Sequence, residues 1–173
     1  TENNILAHQN LGVIFQRAGN PDQAAFHFKA VIEINPEYPD AYNGLGNIEL
    51  VRDQSYKAIS YFKRAIAINP NFEEAYNNLG DIYVRQKLLD LAVKEYLTAI
   101  KLRPDYAQIH YNLGLAYFKQ GRYDEAIYEF RVALKFKPDF KEASQNLKDL
   151  FERKKSYKDA EEGSSGQNKN WSP

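Results

Sequence analysis

A strict 34-residue period is the feature of this sequence that most restricts its fold. Leu-Gly pairs recur at that spacing, and alanines, aromatic residues and prolines recur at it in other phases of the same unit. The sets are Leu11-Gly12, Leu45-Gly46, Leu79-Gly80 and Leu113-Gly114; Ala24, Ala58, Ala92 and Ala126; Phe28, Phe62, Tyr96 and Phe130; and Pro36, Pro70, Pro104 and Pro138. Four residue types in one register across four units predict an array of repeats and not one or two independent domains.

Each unit predicts two amphipathic helices. In residues 107–140, apolar side chains recur at helical spacing over 109–117 and again over 126–134. A proline ends the second helix, because the residue before it is driven out of the α region. The predicted breaks are Gly19 and Gly121 between paired helices, and Asn35-Pro36 and Asn69-Pro70 after a pair.

This pattern resembles the tetratricopeptide repeat (TPR), whose signature combines an aromatic residue, Leu-Gly, a second aromatic, Ala-x₃-Phe and Pro. Two positions depart from it: Glu49 stands at an aromatic place, and Val31 at a small one. The resemblance implies an all-α, right-handed TPR solenoid of antiparallel helix pairs. It implies a TPR domain over 1–160, with repeats at 5–38, 39–72, 73–106 and 107–140 and a degenerate capping copy at 141–160, and then a flexible tail at 161–173.

Composition excludes several classes of function. The 23 Lys and Arg residues balance the 23 Asp and Glu residues, so no net charge attracts nucleic acid or anionic lipid. No apolar run approaches the roughly 18 residues of a membrane span, and we expect a soluble chain without membrane insertion. A chain without Met that begins at Thr1 is expected to have lost a signal peptide, an initiator methionine or a segment cut at an artificial boundary. The compartment stays open between the cytoplasm and export after leader removal.

No residue pattern predicts catalysis, a cofactor or a metal. The Gly-Leu-Gly segment 44–46 lies within a helix and lacks a third glycine, so it is not a phosphate loop. The adjacent Glu73-Glu74 pair points to different sides of a helix and is interpreted as solvated charge. His8 and His110 occupy the aromatic packing position, and with His27 they are interpreted as packing residues and not as metal ligands.

A row of asparagines is the strongest functional feature. Asn stands two residues before the glycine of each Leu-Gly pair except in the second repeat, where Gly44 has that place. On the first helix of a repeat this position is expected to face the concave side and solvent, where an amide can bind an extended peptide backbone. The row resembles the asparagine ladder in the TPR superhelix of O-linked N-acetylglucosamine transferase. Its members are Asn10, Asn78, Asn112 and Asn146.

Further residues are expected in this peptide-binding groove. Arg17, Arg85, Lys119 and Arg153 share one place at the end of the first helix, which allows a basic rail or simple stabilisation of helix C-termini. The carboxylate clamp of chaperone-binding TPR domains is not expected, because its positions keep amides such as Asn43, Asn47 and Asn78 and lack the cations. The predicted groove adds Asn43, Asn47, Arg85, Tyr111, Phe118 and Lys119 to the asparagine row.

Two non-enzymatic functions follow from these patterns. The first is a scaffold that binds a protein or peptide in its concave groove. The alternative is a structural subunit that self-associates through the solenoid ends, at Ile5, Leu6 and Ile14, or through Trp171 in the tail. Fold alone does not name a partner or a pathway.

Overall fold

The computed structural model describes the backbone of residues 2–167 and the side chains of residues 4–154. Within that range it is helical, contains no strand and confirms the all-α TPR fold class. The helices are α1 (Glu2–Arg17), α2 (Pro21–Ile34), α3 (Pro39–Val51), α4 (Ser55–Ile68), α5 (Glu73–Arg85), α6 (Leu89–Leu102), α7 (Ala107–Lys119), α8 (Tyr123–Phe136) and α9 (Lys141–Gln167).

The helices fall into two compact units, one up to Pro104 and one from Asp105 onward. In the first unit α1 packs on α2, α3 on α4 and α5 on α6, and α3 also contacts α1, α2 and α5. In the second unit α7 packs on α8, and α8 packs on α9. Because short turns make the paired helices antiparallel, the first helices α1, α3 and α5 run in the same direction.

One residue with left-handed backbone makes the turn within each helix pair. Gly19 and Gly121 have φ angles of 71° and 76° there, as the sequence suggested. Asp53 and Lys87 hold the equivalent places in the second and third repeats, with φ of 58° and 62°. A residue with a Cβ pays about 1–2 kcal/mol for this conformation. These two turns carry no glycine and were not predicted.

The ends of the second helices agree with the prediction. Asn35 and Asn69 are the C-caps of α2 and α4. The side-chain oxygen of each accepts the backbone N–H two residues later at 3.0 Å. At the other end of α2, Asn20 caps the helix by accepting the N–H of Gln23 at 3.3 Å.

The aromatic residue of each repeat fills the space between its two helices. Phe28, Phe62, Tyr96 and Phe130 are at most 1% exposed, and each ring lies against the glycine of its own Leu-Gly pair. A Cβ at Gly80 would lie 2.5 Å from Cε1 of Tyr96. Tyr96 also donates its hydroxyl to Asp81 at 2.6 Å, and burial raises the pKa of that carboxyl group.

Phe28 lies against glycines from two repeats. A Cβ would come within 2.6 Å of its ring at Gly12 and within 2.5 Å at Gly44. Gly44 occupies the place that Asn holds in the other repeats. The ring therefore explains why the asparagine row is interrupted in the second repeat.

The two departures from the TPR pattern are accommodated in the first unit. Val31 is fully buried in the core formed by α2 and α3. Glu49 is 7% exposed and accepts a hydrogen bond from Arg52 at 3.0 Å, and Arg52 also pairs with Asp22 at the start of α2. An ion pair thus takes the place of an aromatic ring. In the second unit Lys154 pairs with Asp124 at the equivalent positions.

The C-terminal part differs in form from a fifth helix pair. Residues 141–167 make one helix, α9, which continues past residue 160, where the sequence predicts the tail to begin. Ala143 and Leu150 of α9 are buried, as is Phe140 just before the helix, which is consistent with a helix that covers α8. Residues 168–173, with Trp171, lie outside the described residues, so the flexible tail stays a prediction.

Candidate functional site

Three predicted groove asparagines of the first unit bind one another. The Nδ2 group of Asn78 donates to Oδ1 of Asn43 at 3.0 Å and to Oδ1 of Asn47 at 3.2 Å. Asn43, which is 7% exposed, donates in turn to Oε2 of Glu74 at 3.3 Å. The expectation that the asparagine row simply faces solvent is wrong for Asn78, because α3 and α5 approach closely enough to join it to Asn43 and Asn47.

The carboxyl group of Glu74 lies in an unfavourable electrostatic environment. Its pKa is raised first by burial and then by the negative charges of Glu73 and Asp40. Arg103 acts in the opposite direction, but its guanidinium also pairs with Glu73 at 3.2 Å. Glu74 is exposed, as the interpretation of solvated charge expects, and its carboxylate also belongs to the amide cluster.

A cavity of about 400 Å³ opens between these first helices, and we call it the first-unit cavity. Its walls are mostly polar, and the buried ring of Phe28 lies at its floor beside Gly44. The polar lining residues are Gln9, Gln16 and Arg17 of α1, Asp40, Asn43 and Asn47 of α3, and Glu74 of α5. Sequence reasoning missed Gln9, Asp40 and Glu74 as site residues, although Asp40 and Glu74 are 34 residues apart and hold equivalent places.

Asn10 and Arg85 of the predicted groove stand apart from this cluster. Asn10 is exposed on α1 and makes no hydrogen bond to another described residue. Arg85 is exposed in the last turn of α5, where a cation stabilises the helix C-terminus.

The second unit repeats one hydrogen bond of the cluster with a different partner. Asn146 of α9 donates to the hydroxyl of Tyr111 at 3.1 Å. The two residues are 35 positions apart, as are Asn78 and Asn43 in the first unit. The Tyr111 ring packs against Phe130 and Phe140 at centroid distances of 5.7 and 4.8 Å. Asn112 accepts a hydrogen bond from Gln108 at 3.0 Å.

A smaller apolar hollow of about 90 Å³ adjoins Asn146. Phe118 lines it together with Leu115 and the buried ring of Phe130, and the Arg153 guanidinium lies 5.6 Å from the centre of the Phe118 ring. Lys119 is exposed at the end of α7. The predicted basic rail is thus divided among different surroundings, because Arg17 and Arg153 line cavities while Arg85 and Lys119 project from helix ends.

The three histidines take part in packing. Nδ1 of His8 lies 2.8 Å from Nδ1 of His27, and the His27 ring stacks on Phe15. Partial burial and then the neighbouring charge of His8 lower the pKa of His27. His110 is 6% exposed and pairs through Nδ1 with Glu129 at 2.6 Å. Three metal-ligating side chains do not come together anywhere in the described range.

Family models agree with the period of the sequence. Models described as tetratricopeptide repeat match residues 5–38 and 107–140, 39–72, and 61–94, and a TPR repeat model matches residues 80–121. Together these matches run from residue 5 to residue 140. No curated protein sequence matches this chain. Every helix within residues 2–167 is too short or too polar to cross a lipid bilayer.

Solved structures share the fold. The crystal structure of MamA is 30% identical over 80% of this chain and 81% of that one, with a TM-score of 0.69. Pseudomonas aeruginosa PilF is 23% identical over 93% and 73%, with a TM-score of 0.84. A chain of the APC/C hetero-tetramer Cut9–Hcn1 is 22% identical over 84% and 29%, with a TM-score of 0.78. The last two similarities concern the fold alone.

Proposed function

Because this chain belongs to the tetratricopeptide-repeat family, whose repeats are protein-interaction scaffolds, we propose that it binds an extended segment of a partner polypeptide and catalyses no reaction. The segment lies along α1, α3 and α5 of the first unit. The observation that carries this proposal is the first-unit cavity, which places amide groups from successive first helices side by side.

The groove amides suit a peptide backbone because, after their hydrogen bonds to one another, they keep both donors and acceptors for a ligand. Asn78 uses both hydrogens of its Nδ2, but its Oδ1 accepts from no donor in the described part of the chain. Asn47 accepts through Oδ1 and keeps its Nδ2 group, and exposed Asn10 keeps both ends. Each hydrogen bond to main chain contributes about 0.5–1.5 kcal/mol net. Three of them support a modest affinity that depends little on the side chains of the ligand.

The second unit, taken by itself, offers contacts of a different kind. Phe118 borders the apolar hollow, which fits a small aliphatic side chain, and Tyr111 presents a hydroxyl that already accepts from Asn146. Asn112 adds an amide on the same helix α7, and Lys119 adds an exposed charge at the end of that helix. We assign selectivity among partners of the second unit to these side chains, and in the first unit to Arg85.

Site-specific photo-crosslinking tests the proposal. We would place p-benzoylphenylalanine at exposed Asn10, which holds on α1 the place that Asn78 holds on α5, and, as a matched control, at Tyr56, which is 86% exposed on the second helix α4. Mass spectrometry of the crosslinks formed in a native extract identifies the captured segments. We expect one linear segment from position 10 and none in common with position 56. Identical capture at both positions would contradict a groove-bound ligand.

Self-association is a second candidate function, favoured by exposed apolar side chains on the first helix pair. Leu6, Ile14 and Phe26 are 55%, 58% and 62% exposed. Ile5, which was also expected to be exposed, instead packs partly buried against the core of α2 and α3. Sedimentation equilibrium of Leu6→Lys/Ile14→Lys, with Tyr56→Lys as the control, tests this role. An intact chain that stays monomeric at high concentration would exclude it.

A further inference from the structure

The first-unit cavity is polarised along the helix direction. Asp40 and Glu74 are the second residues of α3 and α5, whereas Arg17 is the last residue of α1. The three helices run in the same direction, and a 13-residue helix such as α3 is about 20 Å long. The two carboxylates therefore lie at one end of the cavity and the guanidinium at the other.

Negative charge at the acidic end is only partly compensated. Burial and the neighbouring carboxylates of Glu73 and Asp40 oppose the ionisation of Glu74, and Arg103, which favours it, is paired with Glu73. Among the described residues that line the cavity, Arg17 is the only cation, and it belongs to the opposite end. A cation that entered beside Asp40 and Glu74 would remove this repulsion and would meet two charged acceptors at the exposed mouth of the cavity.

One acceptor near the acidic end has no hydrogen-bond donor. The side-chain oxygen of Gln9 is buried, and no described residue donates to it. Gln9 holds the place in the first repeat that Asn43 holds in the second, 34 residues later, and Asn43 contacts Glu74. Gln9 is thus placed to accompany Asp40 as Asn43 accompanies Glu74. A small rotation of its amide would offer the unpartnered oxygen to a donor in the cavity.

A long basic side chain matches this environment in three respects. A lysine ammonium carries three donors and an arginine guanidinium five, which suits two carboxylates and one amide oxygen. The aliphatic stem can pack on Val13, which lines the cavity beside Phe28. The cavity of about 400 Å³ also leaves room for the backbone of the segment that carries the side chain. An acidic side chain would face Asp40 and Glu74 and is disfavoured.

We propose that the acidic end of the first-unit cavity binds a Lys or Arg side chain of the extended partner segment, between Asp40, Glu74 and Gln9. This inference rests on the proposed function, since it names the residue class that the groove selects. A single basic residue in the segment would fix its register along α1, α3 and α5, while the amides hold the main chain around it.

Selection from a random nonapeptide library displayed on phage tests the inference. The library is panned on the full chain, on Asp40→Asn/Glu74→Gln, and on Glu33→Gln/Glu37→Gln, which removes the same charge at exposed sites of the first unit outside the cavity. We expect the full chain and the control variant to enrich peptides with one Lys or Arg at a fixed position. The Asp40→Asn/Glu74→Gln variant should show no such enrichment.

The selected peptide is then synthesised with its basic residue and with Gln in that place, and binding is followed by fluorescence anisotropy. We expect a loss on the order of 10-fold to 100-fold from the peptide change, and a similar loss from Asp40→Asn/Glu74→Gln. If that variant fails to fold by circular dichroism, the Lys-to-Gln peptide pair on the intact chain decides the outcome.

Other outcomes separate the two proposals. Peptides enriched without a basic residue would overturn the inference and leave the groove proposal standing. Failure to enrich any peptide over an unrelated protein would overturn both. An equal loss of affinity in both charge variants would show a general effect of net charge and would also overturn the inference.

Discussion

Gly80→Ala should destabilise the protein although Ala is the better helix former. The new Cβ would lie 2.5 Å from Cε1 of Tyr96, where carbon atoms prefer about 3.5–4.0 Å, so the ring has to move by about 1 Å. The ring is 1% exposed, and its hydroxyl is held by Asp81 at 2.6 Å, so it has little room to retreat.

The size of the effect follows from three contributions. Overpacking a filled core costs about 1–3 kcal/mol. A ring that moves also weakens its hydrogen bond to the Asp81 carboxyl group, which is worth about 1.5–3 kcal/mol when intact. Against these losses, replacing Gly by Ala inside a helix stabilises the folded state by about 0.5–1 kcal/mol. A net loss of about 1–3 kcal/mol corresponds to a melting temperature about 2–12 °C lower for a chain of this size.

Thermal unfolding followed by circular dichroism at 222 nm measures this shift. Lys148→Ala is the matched control, because residue 148 holds the same place in the fifth copy and its side chain is exposed on α9. We expect the control to stay within about 0.5 kcal/mol of the parent. Equal melting shifts in the two variants, or a higher melting temperature for Gly80→Ala, would refute the packing argument.

Three further predictions concern the first unit. Asn78→Ala should lower the unfolding free energy by about 1–3 kcal/mol in urea titration, because it removes two hydrogen bonds, whereas Asn10→Ala should have no measurable effect; equal values would contradict this. The pKa of His27 is lowered in the folded chain by burial and by His8, so the unfolded chain takes up this proton more readily. The contribution of His27 to the free energy of unfolding is therefore complete above about pH 6.5 and declines as the pH falls below that value. His27→Gln should therefore flatten the change in urea midpoint between pH 7.5 and 5.5, and an unaltered slope would exclude the effect. Lys87→Gly should stabilise the chain by up to about 1 kcal/mol by removing the left-handed strain at φ 62°, and a loss of stability in the same titration would argue against strain.

The periodic sequence predicted the helices well because local and repeated signals agree. The Asn35-Pro36 boundary and the glycine turn at Gly19 depend on backbone preferences of a few neighbouring residues. The turn at Lys87 could not be predicted in this way, since the packing of α5 on α6 imposes a conformation that lysine does not favour by itself.

The sequence predicted several residues of the groove but not the hydrogen bonds between them. Sequence register places Asn10 and Asn78 at equivalent positions, yet one is exposed and the other is bonded to Asn43 and Asn47. The difference arises from partners 31 and 35 residues away, whose distance depends on how α3 and α5 pack. The 34-residue spacing shows that Asp40 and Glu74 hold equivalent places, but only the structure shows that both line one cavity.

Phe28 packs against Gly12 of the first repeat and Gly44 of the second, so the second repeat cannot simply be exchanged for another. Excising residues 39–72 would preserve the 34-residue spacing and a complete set of paired helices. It would also move Asn78 to the place of Gly44, where a Cβ meets the Phe28 ring at 2.5 Å. A recombined array is therefore expected to fold only if the repeat that follows the first one has glycine at its sixth position, which is residue 44 here.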